Sequence, residues 1–251
     1  MLSISIIIPT LNEANSLEQT LRPLTVLNPP AKEVIIVDGG STDETIAIAK
    51  YCLHFFPLNV DVQIFECGKK GRAIQMNYGA KVASGDVLCF LHADTQIPND
   101  LVTVIDKTLA NSKVACGGFI SLMTGSLTTR WSISLHNYLK TYYAPLMFRP
   151  HLFFKGLRLL FGDQVMFCRR QDFFDCGGFD ESLPIMEDGD LCRKLHQKGE
   201  IRLVNRVVTS SDRRVAHWGF WKATTIYLYI GILWGFGVDA NYLKRFYQDI
   251  R

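Results

Sequence analysis

The chain has 251 residues, of which 48% are hydrophobic and 20% are charged, and its formal net charge at pH 7 is +3. This length is enough for one large hydrophobic core, so we expect a single domain over residues 1–251. Because the lysines and arginines are dispersed, the charge pattern excludes a polybasic arm and predicts no nucleic-acid partner.

The first half of the chain alternates between strand-like and helical patterns. The predicted strands span residues 4–8, ended by Pro9, and residues 33–37, 60–65, 87–91 and 114–120. The predicted helices contain Leu17, Leu21 and Leu24, then residues 41–53 with a capping box at 41–44, residues 72–83, and a segment starting at Pro98. This alternation predicts an α/β fold with a Rossmann-like, doubly wound, mostly parallel sheet and helices on both faces.

The second half has a different composition. Residues 126–161 are rich in aromatic and basic side chains, with Pro145 and Pro150 breaking the helical pattern, and we interpret this segment as a lid or acceptor platform. Residues 223–238 form the most apolar stretch, but about sixteen residues are too few to span a bilayer, so we expect a packed or interfacial helix.

Two features bear on the cellular compartment. The seven cysteines are odd in number and none forms a Cys-x-x-Cys pair, which favours a reducing environment. The N-terminus runs directly into the first strand, without the basic region of a signal peptide. We therefore expect a cytoplasmic protein, with peripheral contact at the inner face of the membrane as an open alternative.

Carboxylates occur in order where the apolar runs end. Asp38 and Asp94 each follow a predicted strand, and Glu187-Asp188 lies far downstream. Parallel strands would deliver the first two to the carboxyl edge of the sheet, where open α/β folds bind ligands. The order predicts one acid for a nucleotide, one for a metal and one for proton abstraction.

Four motifs carry a resemblance to a known family. They are Ile-Ile-Pro-Thr-Leu-Asn-Glu at 7–13, Val-Ile-Ile-Val-Asp-Gly-Gly-Ser-Thr-Asp at 34–43, Gly-Arg-Ala-Ile-Gln-Met-Asn-Tyr-Gly-Ala at 71–80, and Phe-Leu-His-Ala-Asp-Thr at 90–95. Together they resemble family 2 glycosyltransferases with the GT-A fold. Further motifs at 161–164, 177–179, 186–188 and 209–214 resemble a subgroup described as radical-SAM/selenodomain-associated.

The resemblance implies a donor half at about 1–125 and an acceptor half with the apolar C-terminal helix at about 126–251. The implied partners are a nucleoside diphosphate sugar and a hydroxyl acceptor of unknown identity. The implied donor site comprises Pro9, Thr10, Glu13, Asp38, Gly40, Gly71, Arg72, Gln75, Asn77, His92 and Asp94.

The resemblance also implies roles in metal binding and catalysis. His92-Ala93-Asp94 stands where the family usually has Asp-x-Asp, so Asp94 would bind Mn²⁺ or Mg²⁺, with His92 and His217 as further candidate ligands. Asp188 would be the single catalytic base of an inverting transfer. Contacts to the acceptor or diphosphate would come from Asp163, Gln164, Glu187, Arg213 and Arg214.

Each motif also has a purely structural interpretation. Thr10 would cap a helix, Asp38 would be a turn acid beside Gly39-Gly40, and the Glu187-Asp188 pair would be first-turn charges of a helix. Gly79 and Ala80 would let their helix approach the sheet closely.

The functional alternatives also stay open. They are transfer to a polyprenyl phosphate or other lipid acceptor at the membrane surface, and a catalytically silent nucleotide-binding scaffold. A dehydrogenase is disfavoured because no Gly-x-Gly-x-x-Gly follows the first strand. The oligomeric state is open, a homodimer included.

Overall fold

One eight-stranded sheet forms the centre of the structure, a computed structural model that describes residues 1–125 and 128–247. The strands are β1 (Ile4–Thr10), β2 (Glu33–Asp38), β3 (Asp61–Glu66), β4 (Val87–Phe90), β5 (Thr95–Gln96), β6 (Val114–Thr124), β7 (Met166–Arg169) and β8 (Glu200–Ser211). Their order across the sheet is β3-β2-β1-β4-β7-β6-β8-β5.

Helices cover both faces of this sheet. They are α1 (Leu17–Leu24), α2 (Thr45–Cys52), α3 (Arg72–Val82), α4 (Leu101–Leu109), α5 (Trp131–Phe148), α6 (Pro150–Phe153), α7 (Arg170–Asp175), α8 (Glu187–Leu195), α9 (Arg213–Trp218), α10 (Phe220–Gly235) and α11 (Ala240–Lys244). Short 3₁₀ turns occupy Leu53–Phe55 and Gly162–Gln164.

The sheet is mostly parallel, as predicted. Strands β3, β2, β1 and β4 pair in parallel, and β6 pairs in parallel with β8. Strand β7 lies antiparallel between β4 and β6, and β5 is antiparallel to β8. Strands from both halves of the chain therefore belong to one continuous sheet.

Strand alternation explains the two hydrophobic layers. Ile6 and Ile8 of β1 pack with α1 and α4 on one face, whereas Ile7 packs with α3 and α8 on the other. Helix α3 comes so close to β1 that a methyl group on Gly79 would overlap the Ile7 side chain. The predicted close approach of this helix to the sheet is confirmed.

Four local predictions were wrong. Pro9 does not end β1, because the strand continues to Thr10 and Pro9 itself pairs with Val37 of β2. On the other side of β1, no residue of β4 pairs with Pro9. Residues 41–44 form no capping box, since the Ser41 hydroxyl binds Asp38 and α2 begins later, at Thr45. Pro145 lies inside α5, and α4 begins at Leu101 rather than at Pro98.

The apolar stretch at 223–238 falls largely within α10, which packs against α5, α9 and α11. Across residues 1–125 and 128–247, no helix is both long enough and apolar enough to cross a membrane. The segment packs on one side and is partly exposed on the others, and the choice between a packed and an interfacial helix stays open.

Candidate active site

A cavity of about 960 Å³ lies beside the carboxyl ends of β1 and β4. Its volume is in the range typical of small-molecule sites. It brings together thirteen of the predicted site residues: Pro9, Thr10, Glu13, Gly71, Arg72, Gln75, His92, Asp94, Asp163, Glu187, Asp188, Arg213 and Arg214. Most of the residues that the motifs predicted thus share one cavity.

The predicted catalytic base lies in the first turn of α8. Glu187 and Asp188 are both buried, and the Arg72 guanidinium at the start of α3 lies 3.2 Å from a Glu187 oxygen and 4.0 Å from Asp188. Arg72 therefore holds the acidic pair from the opposite wall. The sequence separated these two motifs by more than a hundred residues, and only the fold brings them together.

Burial raises the pKa of Asp188 to about 8, and the neighbouring Glu187 carboxylate adds to the shift, while Arg72 opposes it. Burial disfavours the charged form of any carboxyl group because it removes water. A carboxyl group whose pKa is near the working pH is suited to accept a proton from a substrate hydroxyl. The environment of Asp188 therefore fits the role predicted for it.

Asp94 shares an arginine with Glu13. Arg213 binds Glu13 through two bonds of 2.7 Å each, and one of its nitrogens also lies 3.1 Å from Asp94 Oδ2. Burial, the largest cause, raises the pKa of Asp94, and Arg213 opposes that shift. A bound cation in the cavity would therefore stabilise the ionised form of Asp94.

The donor atoms fit a divalent ion bound mainly by its substrate. Within the described residues, no group of three or more His, Cys, Asp or Glu side chains surrounds a common point. Mg²⁺ is commonly held by one or two carboxylates together with substrate phosphates and water. Asp94, which faces the cavity with a hard oxygen ligand, fits that pattern.

His92 lines the cavity, and its role as a metal ligand stays a prediction. Its Nε2 atom is buried and has no hydrogen-bond partner, and it lies against Gly162, where an added methyl group would overlap the ring. Burial and the nearby arginines 72, 213 and 214 lower the pKa of His92 well below 6.5. The imidazole is therefore neutral, which is the form that binds metals, and its Nε2 atom packs against Gly162.

Asp38 organises the loop that follows β2. Its two oxygens accept bonds from Thr10 Oγ1 (3.0 Å), Gly40 N (2.8 Å), Ser41 N (2.7 Å) and Ser41 Oγ (2.5 Å). A carboxylate has about four acceptor positions. Asp38 and Gly40 do not line the cavity, so the geometry favours the turn role, and their contact with a nucleobase stays a prediction.

Gln75 joins three elements below the donor end of the cavity. Its Nε2 donates to the Thr10 carbonyl (2.6 Å) and the Val37 carbonyl (2.8 Å), at the ends of β1 and β2. Both amide protons are used in this way. Gln75 therefore supports the floor of the cavity.

Besides Asp38 and Gly40, three predicted site residues lie outside the cavity, so their contacts with a ligand or metal stay predictions. Asn77 exchanges hydrogen bonds with the backbone of Phe179 and so anchors the loop before α8. Gln164 is buried and bonds to Phe161 N and Thr141. His217 is exposed on α9, away from Asp94.

The sequence missed two cavity residues on α5. Asn137 Nδ2 donates to Asp163 (3.2 Å), and Lys140 places its ammonium 3.5 Å from the centre of the Phe161 ring. Burial lowers the pKa of Lys140 to about 8, against the opposing charge of Asp163. Their spacing of three residues, which puts both on one side of a helix, was the available signal.

Strained backbone occurs in the loops around the cavity. Among residues 1–125 and 128–247, three residues other than glycine have positive φ: Asn12 (54°), Val165 (48°) and Met186 (66°). Asn12 precedes Glu13, Val165 follows the Gly162–Gln164 turn, and Met186 immediately precedes the acidic pair. Such conformations cost roughly 1–3 kcal/mol each and are concentrated at functional sites.

The chain resembles solved structures over almost its full length. A mannosyltransferase from Pyrobaculum calidifontis, solved with GDP-mannose and Mn²⁺, aligns with 94% of this chain and 63% of its own, at a TM-score of 0.72 and 19% identity. At that identity the likeness shows the fold alone, and it confirms the predicted GT-A fold.

Curated relatives match a shorter segment. Dolichol-phosphate mannosyltransferase from Pyrococcus furiosus is 31% identical over 118 residues, which are 46% of this chain and 33% of that protein. Poly-β-1,6-N-acetyl-D-glucosamine synthase from Staphylococcus epidermidis is 34% identical over 98 residues, or 39% of this chain and 23% of that protein. The chain thus spans about a third or less of these relatives.

The model of the family described as glycosyl transferase family 2 matches residues 5–178, which include the motifs at β1, β2, α3 and β4 and the Gly162–Gln164 turn. The matched segment is more than half of the chain. This protein is therefore an enzyme of glycosyl transferase family 2.

Proposed function

We propose that the protein is a metal-dependent, inverting glycosyltransferase that moves a sugar from a nucleoside diphosphate sugar to a hydroxyl acceptor. The observation that carries the proposal is the presence of Asp94 and Asp188 in one cavity, each with a pKa raised by burial. Asp94 is suited to bind a cation, and Asp188 is suited to accept a proton.

The chemistry follows from these two acids. Asp188 accepts the proton of the acceptor hydroxyl while the hydroxyl oxygen attacks the anomeric carbon. The bond from that carbon to the diphosphate breaks, and its electron pair leaves with the nucleoside diphosphate. Because no second side chain acts as a nucleophile, one displacement inverts the configuration at the anomeric carbon.

The leaving diphosphate needs positive charge nearby. Arg213 and Arg214 line the cavity and carry permanent charges that offset developing negative charge. A divalent ion held by Asp94 would supply Lewis-acid stabilisation of the same group. The Mn²⁺ and GDP-mannose in the mannosyltransferase of similar fold support this assignment.

The proposal is tested by following release of nucleoside diphosphate. The purified protein is incubated with nucleoside diphosphate sugars and a panel of alcohols and sugars, with Mn²⁺, with Mg²⁺ or with chelator. We expect acceptor-dependent release only with metal, and proton NMR of the product should show inverted anomeric configuration. Retained configuration, or release that chelator does not affect, would overturn the proposal.

A further inference from the structure

Helices α5 and α10 expose large apolar side chains along one side of each helix. On α5 these are Trp131, Leu135, Leu139 and Leu146, and on α10 and its end they are Trp221, Leu228, Ile232 and Phe236. Trp131 is 68% exposed, Trp221 80% and Phe236 76%. Contiguous apolar patches of this kind on a soluble protein mark interaction sites.

The cavity opens onto this apolar face. Met147, Leu228 and Ile232 are exposed, and all three also line the cavity. The rings of Phe148 on α5 and Phe236 after α10, with centroids 5.2 Å apart, join the two helices beside the opening. The mouth between α5 and α10 is therefore part of the exposed face.

An apolar wall continues inward from the mouth to the candidate base. Trp234 of α10 lines the cavity and lies against Gly189, where an added methyl group would be 2.9 Å from the indole. Gly189 is the residue after Asp188. Ile185 and Met186, just before the acidic pair, line the same side of the cavity.

The charge around the exposed face is strongly one-sided. Residues 131–162 and 213–247 contain nine lysines and arginines and a single acid, Asp239, although the whole chain has 27 basic and 24 acidic residues. Four of the nine, Lys140, Arg213, Arg214 and Lys244, line the cavity. Lys155, Lys222 and Arg245 are exposed. Basic residues interleaved with aromatic and aliphatic side chains suit an anionic lipid surface.

We propose that the α5–α10 face docks onto an anionic lipid bilayer and that the acceptor is an amphiphile drawn from it through the mouth. Its polar group would reach Asp188 while its apolar chain lies along the wall beside Trp234. A second copy of the protein is a poorer occupant, because pairing two such faces would oppose like charges. The acceptor part rests on the proposed transfer to a hydroxyl.

The docking part is tested by sedimenting the full chain with lipid vesicles. We expect binding to phosphatidylcholine vesicles that contain about 30% phosphatidylglycerol, weakening with salt, and little binding to phosphatidylcholine alone. Leu135→Glu combined with Trp221→Glu should weaken binding by about tenfold or more. Leu58→Glu is the matched control, because Leu58 is exposed in the loop before β3 and does not belong to the α5–α10 face. This variant should bind anionic vesicles as the wild type does.

Three results would overturn the docking part: no binding of the wild type to anionic vesicles, equal binding by the double variant, or a stable dimer that the double variant dissociates. The last result would assign the face to a second copy. Because all three substituted side chains are exposed, thermal unfolding should show that each variant is folded.

The acceptor part is tested with two soluble probes that share one head group. Octyl glucoside, below its micelle concentration, should bind about tenfold or more tightly than methyl glucoside, and Met147→Glu should remove the difference. Equal affinities would overturn the amphiphilic acceptor. Nucleoside diphosphate binding with Mn²⁺ is measured in parallel: if it is intact while vesicle and octyl glucoside binding are absent, this inference fails and the proposed function stands.

Discussion

Arg213 and Glu13 form a two-point ion pair in which each of two guanidinium nitrogens lies 2.7 Å from a carboxylate oxygen. The pair joins the loop after β1 to the start of α9, 200 positions apart in the sequence. Asp94 lies 3.1 Å from the same guanidinium. Because Glu13 already holds Arg213, Asp94 is free to take a cation as a partner without leaving the arginine unpaired.

The first prediction therefore concerns Asp94. Asp94→Asn removes the charge that a divalent ion needs, so it should weaken Mn²⁺-dependent binding of nucleoside diphosphate and leave metal-independent binding nearly unchanged. Calorimetric titration with and without Mn²⁺ measures both. Asp61→Asn, at an exposed acid on β3, is the control. A variant with wild-type metal dependence would remove Asp94 from the site.

The second prediction concerns Asp38, whose carboxylate holds the loop after β2 through four hydrogen bonds. Asp38→Ala leaves buried donors such as Thr10 Oγ1 without this acceptor, so we expect a loss of about 1–3 kcal/mol in the free energy of unfolding. Urea unfolding measures it. Unchanged stability together with weaker nucleotide binding would instead support the base contact that the motif predicted.

These two acids show how much of the site the sequence could predict. An apolar run followed by a carboxylate predicts a buried strand whose carboxyl end lies at the ligand-binding edge of the sheet. The sequence therefore predicted the positions of Asp38 and Asp94 together with the strands that precede them. Pairing over long distances is not encoded locally. The sequence around Arg72 does not indicate that its side chain contacts Glu187. Likewise, the four residues of β7 do not indicate that this strand lies antiparallel between β4 and β6.

The acceptor side was harder to predict for a related reason. A helix pattern identifies the side that is buried but not what faces it, so the aromatic and basic composition of 126–161 indicated a platform without locating Asn137 and Lys140. Residues 126–127 lie outside the described residues. Gln164 was expected to contact the acceptor because it lies in a motif, whereas its side chain bonds to Phe161 N and Thr141, which the sequence could not indicate.

The third prediction concerns Gly162, which separates His92 from Asp188. A methyl group here would overlap the imidazole and lie 3.0 Å from Asp188 Oδ2, so Gly162→Ala should displace both side chains and reduce transfer strongly. Steady-state release of nucleoside diphosphate measures the effect. Lys107→Ala is the control, because this exposed residue of α4 does not line the cavity and its loss should leave transfer unchanged. Equal activity in the two variants would contradict the prediction.

The fourth prediction concerns stability and pH. The pKa of Asp188 is raised from 3.8 to about 8 on folding, so between these values the unfolded chain has lost a proton that the folded chain keeps. The free energy of unfolding must therefore fall as pH rises through this window. Asp188→Asn removes the titration, so the variant should be more stable than the wild type above pH 8 and equally stable near pH 4. Unfolding in urea at both pH values measures the difference, and a pH-independent difference would exclude the shift.

The last prediction uses the same substitution to identify the base. Asn keeps the size of the side chain but cannot accept the proton, so transfer should fall by roughly 10²–10⁴ in Asp188→Asn while donor affinity barely changes. Wild-type transfer should rise about tenfold per pH unit until it levels off near the pKa of Asp188, about 8, and the residual activity of the variant should lack this rise. Glu187→Gln distinguishes the two acids. Glu187 pairs with Arg72, and its negative charge raises the pKa of Asp188. Removing that charge should lower the pKa of Asp188 and move the plateau of the activity profile to lower pH. If Asp188→Asn turns over at the wild-type rate, or if its profile keeps the same rise, the proton goes to another group, and Asp163 on the same wall of the cavity is then the next candidate.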